Sequence, residues 1–151
     1  EMPRSRGLRD LEAWMARKRA EETRVAELMR TLDTPKMVLL GKDIVHGRGL
    51  CFNCHHVGSE GHGKVGPDLA DVGARARTRV TGVSDVEYLA QSLYKPSAFV
   101  VPTFPQSMPP VNQPPIGLSD LEIRMVVAYL QSLGGTPTVQ PNTKLPFAPE
   151  Q

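Results

Sequence analysis

Of 151 residues only eight are aromatic: one Trp, three Tyr and four Phe. Aromatic side chains normally dominate core energetics, so a core built from this chain alone is thin and leaves room for something else to fill it. Long apolar runs are missing too. The longest, Met125 to Leu130, is far short of the about 20 residues a membrane span needs. Neither sign of charge is in excess: 18 Lys and Arg against 16 Asp and Glu leave a net charge of +2. That balance argues against a nucleic-acid partner and against binding to anionic lipid. No strand pattern and no internal repeat stands out. What is abundant is glycine and proline, together 27 of the residues. The length suits one domain with an appendage. The chain opens on Glu1 and reads as a processed product, which leaves room for a signal peptide or a membrane anchor ahead of it.

Residues 5–32 read as one long helix. Leu8, Leu11, Met15, Val25, Met29 and Leu32 recur at alternating spacings of three and four, with Lys18 and Glu22 in the two middle slots. This is a heptad-like seam with a polar interruption. Up to Thr34 the chain holds eight basic and seven acidic residues, so its other faces are solvated. An apolar stripe of that length must be covered, by the chain's own domain, by a partner subunit, or as the stub of an anchor. The charges at Lys18 and Glu22 favour a partner carrying matching charges. Thr34 as N-cap and Pro35 as first helical residue restart the chain in a second helix to about His46. Residues 50–82 are rich in glycine and loops. Two Ser-x-x-Glu capping boxes, Ser84 to Glu87 and Ser119 to Glu122, open helices ending near Tyr94 and at Gly134-Gly135. Between them, residues 96–115 hold seven prolines and cannot form regular helix. The tail, 136–151, reads as extended and as ordering on a partner. The expected fold is all-α.

The two cysteines are Cys51 and Cys54, and His55 follows at once. Cys51-Phe52-Asn53-Cys54-His55 is C-x-x-C-H, the attachment signature of c-type haem. Thiols at this spacing reach the two vinyl groups of one porphyrin, and the adjacent histidine supplies a ligand to the iron. In shuffles of this composition the motif arises less than roughly once in a thousand. The competing readings are weaker. A Cys-x-x-Cys redox pair wants a βαβ context, and structural zinc wants a second pair of ligands. One covalent haem c is therefore the expected cofactor.

The sequence resembles the class I, monohaem cytochromes c over about residues 36–134. The likeness rests on Gly41 in the helix leading into the haem motif, on Gly66-Pro67-Asp68-Leu69, on Met108-Pro109, and on Ala128-Tyr129-Leu130 followed by Leu133. It implies a small helical bundle whose first and last helices cross near Gly41 and Tyr129, with haem in the centre. The organisation is then an N-terminal extension over 1–34, a cytochrome c domain over 35–135 and a proline-rich tail over 136–151. The resemblance also implies that the Pro67 carbonyl orients the His55 ring and that Arg75 meets a haem propionate. Arg77 and Arg79 are the rivals of Arg75. For the sixth iron ligand, Met108 is the favoured residue, because only it sits in a polyproline loop free of helix packing. His46, His56 and His62 are the alternatives.

The function these residues imply is one-electron transfer rather than enzymatic turnover, since a haem ligated by His55 and Met108 has no open site for a substrate. A haem enzyme or gas sensor with a displaceable sixth ligand is the alternative. Partial likenesses extend to the small monohaem subunit of the sulfur-oxidising SoxAX pair and to cytochrome c domains of respiratory complexes. They imply redox partner proteins, a larger complex, and a place in the periplasm or on the outer face of the cytoplasmic membrane. Membrane association is expected only through partners or a lost anchor.

Overall fold

The structure is a computed structural model and describes residues 5–150. The chain falls into two compact units that divide between Leu32 and Asp33. The first is one helix, α1 (Arg6–Arg30). Ser5 caps it, its hydroxyl accepting from the Leu8 N–H at 3.3 Å. Arg, Glu, Ala and Leu fill most of α1, all strong helix formers, and the helix buries none of its side chains.

The second unit contains α2 (Thr34–His46), a 3₁₀ turn (Cys51–Asn53), α3 (Val72–Arg75), α4 (Asp85–Tyr94) and α5 (Asp120–Ser132). Among the described residues there is no strand, only an isolated bridge between Val57 and Glu60. No described helix is long and apolar enough to cross a membrane.

α2 and α5 form the main helix pair. α2 turns Met37, Gly41, Ile44 and Val45 inward, a helical stripe. Gly41 sits where the two backbones touch. A Cβ there would run into the Met125 carbonyl and would lie 2.9 Å from the Tyr129 Cβ. α5 is buried on nearly every side from Ile123 to Gln131, because α3 and α4 pack on it as well as α2. Its N-terminus has the complete capping box: Ser119 Oγ accepts from the Glu122 N–H at 3.2 Å, and Glu122 Oε1 accepts from the Ser119 N–H at 3.1 Å. The Tyr94 hydroxyl, at the end of α4, donates to Asp120 Oδ1 at 2.7 Å and ties the two helices together.

Two details differ from the sequence reading. The N-cap of α2 is Asp33, whose carboxylate accepts from the Lys36 N–H at 3.0 Å. The Thr34 hydroxyl is engaged elsewhere, donating to the Val139 carbonyl at 2.8 Å. The tail is the second difference. It is irregular, as expected, but it packs on its own domain, with Val139 and Leu145 buried.

The fastener is Gln131, a fully buried polar side chain. Its Nε2 donates to Asp85 Oδ2 and to Thr138 Oγ1, each at 2.9 Å. Its Oε1 accepts from the N–H groups of Thr138 and Val139, at 3.0 and 3.3 Å. Both donors and both acceptor sites of the amide are used, so the buried group costs nothing unpaid and joins α4, α5 and the tail. Replacing Gln131 by leucine strands two backbone N–H groups. The expected loss is about 2–4 kcal/mol, read as a lower denaturant midpoint with helix content retained.

Candidate functional site

The site begins where α2 stops. Gly49 donates to the Ile44 carbonyl at 2.9 Å and brings the chain round into the 3₁₀ turn. There the N–H groups of Cys54 and His55 both point to the Cys51 carbonyl, at 3.1 and 2.8 Å. One tight turn thus carries both sulfurs and the imidazole. The following loop folds back over it. Gly66 donates to the Cys54 carbonyl at 2.8 Å, Gly63 to the His55 carbonyl at 3.2 Å, and Leu69 to the His56 carbonyl at 2.8 Å. Both glycines are needed for this approach. A Cβ on Gly63 would strike the Cys54–His55 peptide, and one on Gly66 would strike the His55 ring. Neither requirement is read from the sequence, where both glycines count as loop breakers and Gly66 also as part of the Gly-Pro segment.

The His55 ring is fixed by Pro67. Its Nδ1 lies 2.8 Å from the Pro67 carbonyl, which only accepts, so Nδ1 carries the proton and Nε2 keeps its lone pair. Burial holds the pKa of the ring below the ordinary histidine value, which keeps it neutral as a metal ligand must be. Asp68, the next residue, straps the loop: its Oδ1 accepts from the N–H groups of Gly58 at 3.0 Å and Ala70 at 2.9 Å. Those two bonds lower the Asp68 pKa.

Cys51, Cys54 and His55 line a cleft of about 980 Å³, counting the open solvent at its mouth. Its walls are apolar. α4 contributes Tyr88, Leu89 and Leu93, and α5 contributes Val126 and Leu130. The proline-rich segment adds Pro96, Phe99, Val101, Phe104 and Met108. Tyr88 and Phe99 meet edge to face, with ring centroids 5.9 Å apart. These wall aromatics were not singled out in the sequence; apolar residues spaced among the prolines were the available signal.

The structure separates the candidate ligands. Met108 is half-buried and lines the cleft, and no other described methionine does. Met37 and Met125 are buried among the helices, and Met15 and Met29 lie on α1. Met2 falls outside the described residues. His46 lies 3.3 Å from Glu60 and stacks near Phe52, His56 Nδ1 donates to the Gly63 carbonyl at 2.8 Å, and His62 is exposed. None of the three lines the cleft. Arg75 stands outside the lining. One of its terminal nitrogens donates to the Asp68 carbonyl, while its Nε is buried without a partner. Arg77 is exposed and Arg79 half-buried.

Burial pushes the Cys51 thiol up to about 11. A redox-active Cys-x-x-Cys works through a stabilised thiolate, so this environment is the wrong one for it. It suits sulfurs that serve as covalent anchors. Two anchoring sulfurs, an imidazole with a free lone pair, a thioether and apolar walls together form the donor set and the setting of a c-type haem. The family model of cytochrome c matches residues 38–134. The chain belongs to the cytochrome c family. No curated protein matches the chain significantly. Membership brings with it covalently bound haem c on Cys51 and Cys54 and the function of electron transfer. The helical fold agrees, and the match runs from within α2 to just past the end of α5.

Proposed function

We propose that this cytochrome c passes single electrons between protein partners, and that His55 and Met108 are the two residues that would hold the iron of its one haem. The observation that carries this reading is the presence of Met108, alone among the described methionines, in the lining of the same cleft as Cys51, Cys54 and His55. Bound in the cleft, the haem supplies the Fe(III)/Fe(II) couple. His55 offers Nε2 in one fixed orientation, and the hydrogen bond to Pro67 strengthens it as a donor. Met108 offers a thioether from a loop stiffened on both sides by proline, so it stays in place in either charge state. The apolar walls keep water from the reacting centre. The buried, unpartnered Nε–H of Arg75 is the natural mate of a haem propionate.

A haem enzyme or gas sensor would need a sixth position that opens easily, and the seating of Met108 in the wall runs against it. The partial likeness to the small SoxAX subunit and to cytochrome domains of respiratory complexes supports a place as one subunit of a larger oxidoreductase assembly. The attachment motif, which in the resembling family is loaded outside the cytoplasmic membrane, supports the periplasm or the outer face of the cytoplasmic membrane as its location.

Purified holoprotein is expected to keep its haem through acid–acetone extraction and to exceed the sequence mass by one haem. Cys51→Ala and Cys54→Ala lower the yield of matured protein, and His55→Ala abolishes it. Haem that extracts freely sinks the covalent assignment. Co-purifying subunits from the native source test the assembly, and a chain that always purifies alone speaks against it.

A further inference from the structure

α1 carries a pattern that the redox site leaves unused. Within it the seam positions run Leu8, Leu11, Met15, Lys18, Glu22, Val25 and Met29, all on one continuous helix, and the last seam residue, Leu32, follows just past its end. Leu11, Met15, Val25 and Met29 are between 43 and 50% exposed. The order of residue types from Leu8 to Leu32 is the same read from either end: three apolar, two charged, three apolar. Its centre is Ala20, and each seam position has a counterpart equally far on the other side.

That symmetry selects a partner. When two copies lie antiparallel with Ala20 at the same level, Leu11 faces Met29, Met15 faces Val25, and Lys18 faces Glu22, each layer occurring twice. These are first-position against fourth-position layers, the form an antiparallel coiled coil takes. Trp14 and Leu28, both exposed and flanking the seam on one side, then meet as an apolar pair. A parallel pair does the opposite in its centre, setting Lys18 on Lys18 and Glu22 on Glu22. At the rim of the antiparallel pair Arg19 meets Arg19 and Glu21 meets Glu21, but exposed rim charges weigh little beside paired charges in the seam. In the single helix Lys18 is not paired with Glu22; its ammonium lies 5.8 Å from the Trp14 ring.

We infer that α1 is a self-association element: two copies of this chain pair antiparallel through the Leu11 to Met29 seam, each Lys18 facing the other copy's Glu22. This stands apart from the proposed redox role, which would survive its failure. The test is sedimentation of the holoprotein over a range of concentrations. The wild type is expected to dimerise. Lys18→Glu alone and Glu22→Lys alone each put like charges in both central layers and raise the dissociation constant at least about tenfold. Mixing those two single variants restores a dimer, and so does the double variant carrying both changes. A wild type that stays monomeric, or a double variant no better than the singles, overturns the proposal. Direction is read separately by oxidative cross-linking, since the chain's own cysteines are consumed by haem. Leu11→Cys mixed with Met29→Cys cross-links, and Leu11→Cys alone does not. Cross-linking of Leu11→Cys with itself overturns the antiparallel arrangement. The haem spectrum and the helix content by circular dichroism of every variant match wild type, which shows that any loss of dimer is a loss neither of the haem domain's fold nor of α1.

Discussion

In Met108→Ala holoprotein the weak thioether-to-iron band near the red end of the oxidised spectrum disappears, and carbon monoxide and cyanide bind readily. The reduction potential falls by on the order of 0.1 V or more, within the about 0.8 V over which axial ligands set haem potentials. The reason lies in the exchange a thioether makes possible: it is a soft donor that favours the reduced iron, and water or an added ligand replaces it. Met37→Leu and Met125→Leu are the controls. Both residues are buried away from the cleft, and leucine conserves their volume, so spectrum and potential stay put. An unchanged spectrum in Met108→Ala would move the ligand to a histidine. Of those, His62 is the exposed one, while His46 and His56 already have partners.

Gly41→Ala has a larger effect on the protein than on the haem chemistry. The new methyl group points at the Met125 carbonyl and the Tyr129 Cβ, both part of a helix and neither able to swing aside. α2 and α5 must separate, and the expected cost is about 3 kcal/mol, at the upper end for overpacking. For a domain whose total stability is about 5–15 kcal/mol, this is a large share, visible as a fall in denaturant midpoint at unchanged slope. Gly7→Ala makes the contrast. Nothing lies within 4 Å of a Cβ there, and the residue is helical, so stability holds or rises slightly. A Gly41→Ala protein as stable as wild type would mean that the helix crossing is looser than the structure has it.

The legible parts of this protein are those whose causes are local. Cys51, Cys54 and His55 can be read because haem attachment needs its three residues within five positions of the chain. Ser84 and Ser119 cap their helices because a cap bonds three residues ahead, although only Ser119 forms the full box that both sequences spell; at Ser84 the one cap bond is from the Glu87 N–H. Where the cause is distant, the reading slips. Thr34 has the right chemistry for a cap, but its hydroxyl is claimed by Val139, more than a hundred residues later. Gln131 looks like one more polar residue at the end of a helix, and the tail looks unattached, because the bonds between them form only after the helices have packed. Arg75 is set apart from Arg77 and Arg79 in the sequence only by resemblance; the burial of its unpartnered Nε has no local signal, because it depends on the loop folding back.

The pairing of α2 with α5 also sets the order of events in the life of the chain. These are the first and last helices of the domain, with the haem motif just behind α2 and the whole loop region between them. Their contact cannot form until α5 has been synthesised, and closing so long a loop is slow compared with local helix formation. Until then Cys51 and Cys54 lie in a chain without a core. Attachment of the haem has its opening in that interval, and once both thioethers exist, a large apolar surface is fixed beside the place where the two helices are to meet.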